Sequence, residues 1–267
     1  MRAALLILPL AACVPTAQPR SEPAASPPRV LAVFAHPDDE TLVAPALANA
    51  AARGAHVRIV YATRGDASAP ETQLAPGPAI ASVRSEEARC ASRELGAAEP
   101  ALLDFGDGKL GEIVRPPAGT LVRLRESISR VIAEERPDVI VTWGPDGGYG
   151  HPDHRLVTAV TTQIVARDQA RPLLLYAAIE RGSLPPVPEI QAMGWAETAP
   201  DLITIRARFT PADLAAAARA FACHASQFDA ASRAALIPLF AGSIWRNGVA
   251  FRPALDPAEG DDLLALR

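Results

Sequence analysis

The fold is decided by the stretch Val30-Leu31-Ala32-Val33-Phe34-Ala35-His36-Pro37-Asp38-Asp39-Glu40. Its first six residues are apolar and predict a buried strand, which His36 and Pro37 end. A histidine and three carboxylates directly after a buried strand are costly unless they are paired or bind a metal ion. Because open α/β sheets bind their ligands at the carboxyl ends of strands, this stretch predicts a functional site there.

Apolar runs alternate with helix-period segments along the rest of the chain, which is typical of a parallel sheet covered by helices on both faces. The pattern predicts strands at residues 30–35, 56–63, 101–105, 138–143 and 173–179. It predicts helices at residues 40–53, 82–95, between Thr120 and Pro137, and at residues 153–167 and 210–228. We therefore expect one Rossmann-like α/β domain over residues 30–267, with a mostly parallel sheet. The loop at residues 182–200 is long enough to be a lid or rim.

The composition is that of a folded protein without a nucleic-acid partner. Of the 267 residues, 49% are hydrophobic and 21% are charged, so the chain can bury a core and is not wholly disordered. Its 26 basic and 30 acidic residues give a net charge of −4. The chain therefore has no basic surplus with which to neutralise phosphates.

The N-terminal segment predicts export and a lipid anchor. Arg2 precedes a ten-residue apolar run, a length that suits a signal peptide and is too short to span a membrane. The run ends in Leu10-Ala11-Ala12-Cys13, which resembles the lipobox of bacterial lipoproteins, whose signal peptide is cut before the cysteine. We expect residues 1–12 to be the signal peptide and Cys13 to be lipidated. An ordinary signal peptide with a chance cysteine is the alternative.

Residues 13–29 predict an extended tether, because prolines stand among alanine, serine and glutamine without apolar periodicity. Together these segments predict an exported, membrane-anchored lipoprotein on the periplasmic face. Val14 stands after the cysteine where aspartate would favour retention, so we expect the outer membrane if the source is Gram-negative.

Cys90 and Cys223 remain once Cys13 is assigned to the anchor. An oxidising compartment would allow the two to pair. Both lie in helical patterns, however, and small buried apolar side chains explain them equally well. We expect two unpaired cysteines, with a disulfide as the less favoured alternative.

A second polar cluster, His151-Pro152-Asp153-His154, follows the strand predicted at residues 138–143. In the first cluster, a histidine and an aspartate three residues apart on a tight turn can converge on one metal ion. A histidine of the second cluster, at another strand end, completes the set. Two imidazoles and one carboxylate leave a coordination position open for water, which is typical of catalytic zinc. The alternative is that these residues only cap helices, which would explain either cluster alone but not both at strand ends.

The two clusters together resemble the LmbE-like or PIG-L family of N-acetylglucosaminyl deacetylases, and the similarity extends over roughly residues 30–228. Three weaker segments support it: Thr63-Arg64-Gly65-Asp66, Arg84 with Glu87, and Ala222-Cys223-His224-Ala225-Ser226-Gln227. Asp66 stands where the family usually has glutamate. Arg84 and Glu87 could instead pair with each other at i,i+3, and His224 could instead be a core histidine.

The resemblance implies that His36, Asp39 and His154 bind Zn²⁺, with Fe²⁺ as an alternative metal in the cell. It implies that Asp38 is the general base. Amide hydrolysis requires such a set, because it needs a nucleophile available at neutral pH, a base beside the attacking water and a charge partner for the tetrahedral intermediate.

The resemblance also implies roles for four further residues. His151 would stabilise the oxyanion or protonate the leaving amine, and Asp153 would orient His151. Tyr149 would approach the substrate carbonyl as a catalytic and binding residue. Arg84 would contact the sugar or its substituents.

We therefore expect a zinc-dependent hydrolase, an N-deacetylase that acts on an acetylated amino sugar or glycoconjugate at the cell envelope. A two-histidine, one-carboxylate site is also that of iron oxygenases, but those enzymes have no need for Asp38. A non-catalytic carbohydrate-binding lipoprotein on the same fold is a further alternative, although such a module is expected to lose the base or a ligand. A zinc amidase that cleaves a thiol conjugate remains open within the family.

Overall fold

The computed structural model describes residues 26–114, 119–168 and 170–255. The predicted signal peptide, Cys13 and most of the predicted tether lie outside the described residues. The first strand begins at Arg29, so the last residue of the predicted tether belongs to the domain. Among the described helices, none has both the length and the apolar character that crossing a membrane requires.

The described residues form one seven-stranded sheet. Its strands are β1 (Arg29–Phe34), β2 (His56–Thr63), β3 (Ala101–Phe105), β4 (Val139–Thr142), β5 (Leu173–Ala177), β6 (Ile205–Ala207) and β7 (Val249–Pro253). Their spatial order is β3-β2-β1-β4-β5-β7-β6. The first five strands are parallel, whereas β7 is antiparallel to both β5 and β6. The predicted mostly parallel α/β sheet is therefore confirmed, and the antiparallel edge is an addition to it.

Helices cover both faces of this sheet, as the alternating pattern predicted. They are α1 (Ala44–Ala52), α2 (Pro78–Glu94), α3 (Gly119–Glu135), α4 (Pro152–Arg167), α5 (Pro188–Ala192), α6 (Pro211–Ala222) and α7 (Ala230–Ala241). One apolar core holds Leu47 of α1, Phe221 of α6 and Phe240 of α7. The other holds Leu124 of α3 and Val157 of α4.

Three of the predicted helices have different bounds in the structure. The helix predicted at residues 40–53 is a 3-10 turn at Asp39–Val43 that continues into α1. Helix α2 begins at Pro78, four residues before the prediction, because proline suits the first turn of a helix. Helix α6 starts at the predicted Thr210–Asp213 capping box and already ends at Ala222. Turns follow it and direct the next side chains inward.

The prediction of two unpaired cysteines is wrong, because Cys90 and Cys223 form a disulfide. The two residues are 133 positions apart in sequence, yet their Cα atoms lie 5.9 Å apart. Helices α2 and α6 pack side by side and bring Cys90 next to the C-cap of α6. This separation is within the usual range for a disulfide.

Candidate metal centre

The two polar clusters predicted from the sequence meet at one edge of the sheet. His36 follows β1, and His151 and His154 stand at the start of α4, which follows β4. Strands β1 and β4 are parallel neighbours, and the chain runs outward from them in opposite directions along the sheet. Ligands of open α/β sheets bind at such a switch point.

Buried ligand atoms of three residues converge there. His36 Nδ1 lies 3.1 Å from His154 Nε2, and His154 Nε2 lies 3.1 Å from Asp39 Oδ1. His36 Nδ1 lies 3.8 Å from Asp39 Oδ2. A tetrahedral zinc ion with ligands at about 2.0–2.1 Å places neighbouring ligand atoms about 3.3 Å apart. The spacing of His36, Asp39 and His154 therefore fits a divalent metal ion.

Each histidine presents a free lone pair to this point because its other ring nitrogen is occupied. His154 Nδ1 donates to the carbonyl oxygen of Gly147 at 3.1 Å. His36 Nε2 donates to carboxylate oxygens of Asp107 at 3.0 Å and Asp153 at 3.2 Å. Such a carbonyl or carboxylate behind the imidazole is typical of metal-binding histidines.

The charges around the site also favour a cation. Burial alone lowers the pKa of His36, but hydrogen bonds to Asp107, Asp153 and Asp39 raise it well above its usual value. Burial alone raises the pKa of Asp39, but His154 and His36 hold it well below its usual value. A site that attracts a proton this strongly also attracts a metal ion, which competes for the same nitrogen.

Asp107 is a functional residue that the sequence analysis missed. It lies two residues after β3, at the same edge of the sheet as the two clusters. Ligand atoms of His36, Asp107 and Asp153 lie within 4.8 Å of one another, as do those of His36, His151 and His154. An acidic residue directly after a strand is the signal that identified Asp38 and Asp39, and applying it to β3 would have found Asp107.

Asp38 lies beside this site and is oriented by a strained backbone. Its φ is 108°, a left-handed value that is costly for a residue with a side chain. Its N–H donates to Glu40 Oε2 at 3.0 Å, and its Oδ2 accepts from Arg84 at 3.0 Å. Burial raises the pKa of Asp38 to about 6, against the opposing effect of Arg84. Its carboxylate lines the adjacent cavity, where it can accept a proton.

The structure places Arg84 behind Asp38, with only 4% of its side chain exposed. Its guanidinium donates to the carbonyl oxygens of Pro37 and Gly65, and lies 3.7 Å from Asp107. A Cβ at Gly65, where φ is 66°, would come within 2.4 Å of that guanidinium. This placement does not fit the predicted sugar contact, because the group is buried and committed to protein partners.

The alternative interpretation, in which Arg84 and Glu87 pair with each other, does not hold, because each has other partners. Glu87 instead accepts from the N–H and the hydroxyl of Ser226, both at 2.7 Å. These contacts join α2 to the turn after α6, close to the disulfide. The two residues on α2 therefore serve different regions, Arg84 the metal site and Glu87 the C-terminal part of the chain.

His224 belongs to a buried ion pair with Glu40, which resolves the two alternatives left open for it. Its Nε2 lies 2.6 Å from Glu40 Oε1, and Tyr61 donates to the other oxygen at 2.8 Å. Burial lowers the pKa of His224, but Glu40 raises it above its usual value. Since Glu40 also accepts from the N–H of Asp38, His224 supports the site from behind and does not face the cavity.

His151 stands over the metal site as the N-cap of α4. Its Nδ1 accepts from the N–H of Asp153 at 3.2 Å, and its ring stacks on His154 at 4.5 Å. Burial, followed by the nearby His154 and His36, holds the pKa of His151 below its usual value. The lowered pKa favours the neutral imidazole, and the contact from the N–H of Asp153 favours the tautomer with its proton on Nε2.

The carboxylate of Asp153 faces His36 and not His151. It also accepts from the backbone N–H groups of Gly108 and Leu110, at 2.8 and 3.1 Å. The predicted orientation of His151 by Asp153 thus comes from the backbone of Asp153 alone. Its fully buried side chain instead holds the ring of His36.

Tyr149 and the loop at residues 182–200 border the cavity next to the site. The Tyr149 ring meets His154 edge-on at 5.5 Å and Trp195 at 5.0 Å. The loop contains α5 and is held to the glycine-rich segment at residues 147–150 by a hydrogen bond from the N–H of Ala196 to the carbonyl of Gly148. Asp38, Asp39 and Tyr149 line one end of the cavity, whose volume is about 680 Å³.

Comparison with known proteins gives a family and a set of relatives. Residues 31–165 match the PIG-L family model, described as GlcNAc-PI de-N-acetylase. A 1D-myo-inositol 2-acetamido-2-deoxy-alpha-D-glucopyranoside deacetylase of Rhodococcus erythropolis is 35% identical over 158 residues, which are 53% of this chain and 54% of that protein. The protein of the same name from Corynebacterium urealyticum is 29% identical over 244 residues, 76% of this chain and 72% of that protein.

The chain thus spans about half the length of several of these curated relatives. Among solved structures, the A40926 pseudoaglycone deacetylase Dbv21 has a TM-score of 0.61 and 21% identity. The match covers 85% of this chain and 97% of that one. At this level of identity it confirms the fold.

Proposed function

Because this chain belongs to the PIG-L family, described as GlcNAc-PI de-N-acetylases, we propose that it is a metal-dependent hydrolase of N-acetylated amino sugars. The reaction is removal of the N-acetyl group from an N-acetylglucosamine-type sugar. The observation that carries the proposal is the convergence of His36, Asp39 and His154. The carboxylate of Asp38 lies beside them and is not one of the converging donors. The relatives' names specify an acetylated amino sugar linked to inositol. The substrate proposed for this chain is the acetylated amino sugar, without the inositol.

The metal that we propose is Zn²⁺, held by His36, Asp39 and His154, and Fe²⁺ suits the same donors. When bound there, the metal would act as a Lewis acid that lowers the pKa of a bound water to about 7 and polarises the amide carbonyl. Asp107 and Asp153 keep the proton of His36 on Nε2, so that Nδ1 is available.

Asp38 is the proposed general base. With a pKa of about 6 its carboxylate is ionised at neutral pH and can take a proton from the attacking water. The water oxygen bonds to the amide carbon, the C–N bond breaks, and the proton held on Asp38 passes to the leaving nitrogen. The products are acetate and the free amine.

His151 is the proposed partner of the oxygen that gains negative charge. Because its Nδ1 accepts from the N–H of Asp153, its proton is on Nε2 and can be donated to that oxygen. Its lowered pKa fits a neutral hydrogen-bond donor better than a proton carrier. Tyr149 closes the same end of the cavity.

We also propose that the protein is exported and anchored by lipid at Cys13. The Cys90–Cys223 disulfide supports export, because disulfides persist in oxidising compartments. Mass spectrometry of the N-terminal peptide tests the anchor, and Cys13→Ala should release the protein from the membrane fraction. A wild-type protein exported without an acyl mass would contradict it.

The activity is tested by acetate release from a panel of N-acetylglucosamine derivatives, using the full-length protein loaded with Zn²⁺. We expect release from at least one substrate under anaerobic conditions and without a 2-oxo acid. Asp38→Asn, assayed alongside at equal metal content, should be much slower. Activity that requires oxygen would overturn the hydrolase assignment in favour of an oxygenase.

A further inference from the structure

The cavity next to the metal site has a buried end and an open end. Asp38 and Asp39 lie at the buried end, together with Leu42 and Trp143. At the other end the lining residue Met193 is 46% exposed. A substrate amide must reach the buried end to meet Asp38, so the rest of the substrate extends toward the open end.

The walls between these ends are apolar. One wall comes from α5 and its loop, the other from α7, and the side chains concerned are Val187, Ile190, Met193, Leu236, Leu239 and Phe240. Polar lining residues on these two walls, Glu189 and Ser232, are exposed. The surface of these two walls is therefore mostly apolar, and the polar lining groups of Thr41, Tyr149 and Gln227 lie elsewhere in the cavity.

The size of the cavity exceeds the needs of one sugar. A volume of about 680 Å³ is within the range that holds drug-sized ligands, which are larger than a single N-acetylhexosamine. A second sugar or another polyol against these two walls would place hydroxyls beside apolar side chains, where they find few hydrogen-bond partners. An alkyl or aryl group would instead exchange water for apolar contacts. Met193 adds an adaptable wall that fits groups of different shape.

We propose that the groove between α5 and α7 binds an apolar aglycone, an alkyl or aryl group joined to the anomeric carbon of the amino sugar. The anomeric carbon is bonded to the carbon that bears the N-acetyl group, so its substituent starts close to the amide and can extend from the buried end along the groove. This inference rests on the proposed function and narrows the substrate class to N-acetylated amino sugars with an apolar aglycone.

The test compares methyl and hexyl N-acetylglucosaminides, both below micelle concentration, with the full-length Zn²⁺-loaded protein. We expect kcat/KM to be at least about tenfold higher for the hexyl glycoside, mainly through KM, since one well-buried methylene already gives about tenfold discrimination. Leu236→Asn should remove most of this advantage. Leu202→Asn is the matched control, because Leu202 is 56% exposed and lies outside the cavity lining.

Binding to the Asp38→Asn variant, measured by calorimetry, separates this inference from the proposed activity. Tighter binding of the hexyl glycoside without turnover by the wild type would support the groove and contradict the deacetylase. Acetate release at equal kcat/KM from both glycosides would overturn the groove and leave the deacetylase standing. A preference for a methyl glycoside with an N-octanoyl group would also overturn it, because the groove would then hold the acyl chain.

Discussion

Two parts of the molecule contribute differently to the cavity. One is the parallel part of the sheet, strands β1 to β5, and the other is the C-terminal part of the chain, from α5 to β7. The residues proposed for chemistry follow the parallel strands β1, β3 and β4. The C-terminal part supplies the apolar walls and, through His224, a buried support for Glu40. The PIG-L family model matches residues 31–165, which contain the first set and none of the second. On the proposed function, the reaction type would therefore depend on the first region and the substrate range on the second.

The largest effect is expected from removing a metal ligand in the parallel part. His154→Ala or Asp39→Asn should lower metal content and abolish acetate release. Each variant removes one of the three converging donors, and the two that remain cannot hold the ion at working concentrations. Metal analysis of the purified variants checks this. The control is His56→Ala, since His56 pairs with Glu135 away from the site. Full metal content in both ligand variants would place the ion elsewhere.

Asp38→Asn should keep its metal and still lose a factor of about 10²–10⁴ in rate, the usual contribution of general acid–base catalysis. The wild-type rate should fall as pH drops through the pKa of Asp38, about 6, because a protonated carboxyl cannot accept the proton. The variant should lack this acidic limb. Loss of metal in Asp38→Asn together with retention in Asp39→Asn would reverse the two roles.

Asp107→Asn is expected to have a smaller effect, a loss of about 10–100-fold in metal affinity, which is typical when a carboxylate behind a metal-binding histidine is removed. Titration with a competing chelator measures it. Asp104→Asn is the control, because Asp104 lies on β3 itself, three residues before Asp107, with its side chain 86% exposed. Equal affinities for the two variants would remove Asp107 from the site.

The mildest effect on activity is expected in the C-terminal part. A Cys90→Ser, Cys223→Ser double variant should lose about 2–4 kcal/mol of unfolding free energy, since the disulfide closes a long loop. Urea unfolding with and without reductant measures this loss, and the reduced wild type should match the variant. The folded variant should retain its kcat/KM. A large fall in kcat without loss of stability would show that the two regions are not separable in this way.

The parallel part was predictable because its signals are local. The apolar run of β1 ends directly in the first polar cluster, and β4 is followed within ten residues by the second. Local spacing pointed to a histidine and an aspartate that could share a metal ion, the resemblance to the PIG-L family implied the individual ligands, and the fold brings them together. Asp107 was missed although the same rule applied, because a single carboxylate after a short strand is a weaker signal than a cluster.

Apart from the loop at residues 182–200 and the capping box that starts α6, the C-terminal part was not predictable, for physical reasons. Strand β6 has three residues and β7 ends in Pro253, so neither shows a strand pattern of useful length. The disulfide depends on how α2 and α6 pack, across 133 positions of sequence. The placement of Arg84 behind Asp38 depends on the space that Gly65 leaves, which no spacing rule reveals.

The ion pair between Glu40 and His224 bears on the order in which the chain can acquire its structure. Glu40 lies inside the family-matched segment and is 1% exposed, while its cationic partner lies 184 positions later and packs against it only once that part of the chain has folded. Until then, burying Glu40 leaves a carboxylate without a countercharge, which is strongly unfavourable. The face of α1 that packs on α6 is uncovered for the same interval. The matched segment on its own therefore lacks the cationic partner of Glu40, the residue that accepts from the N–H of Asp38, and the C-terminal part must fold onto it to supply that partner.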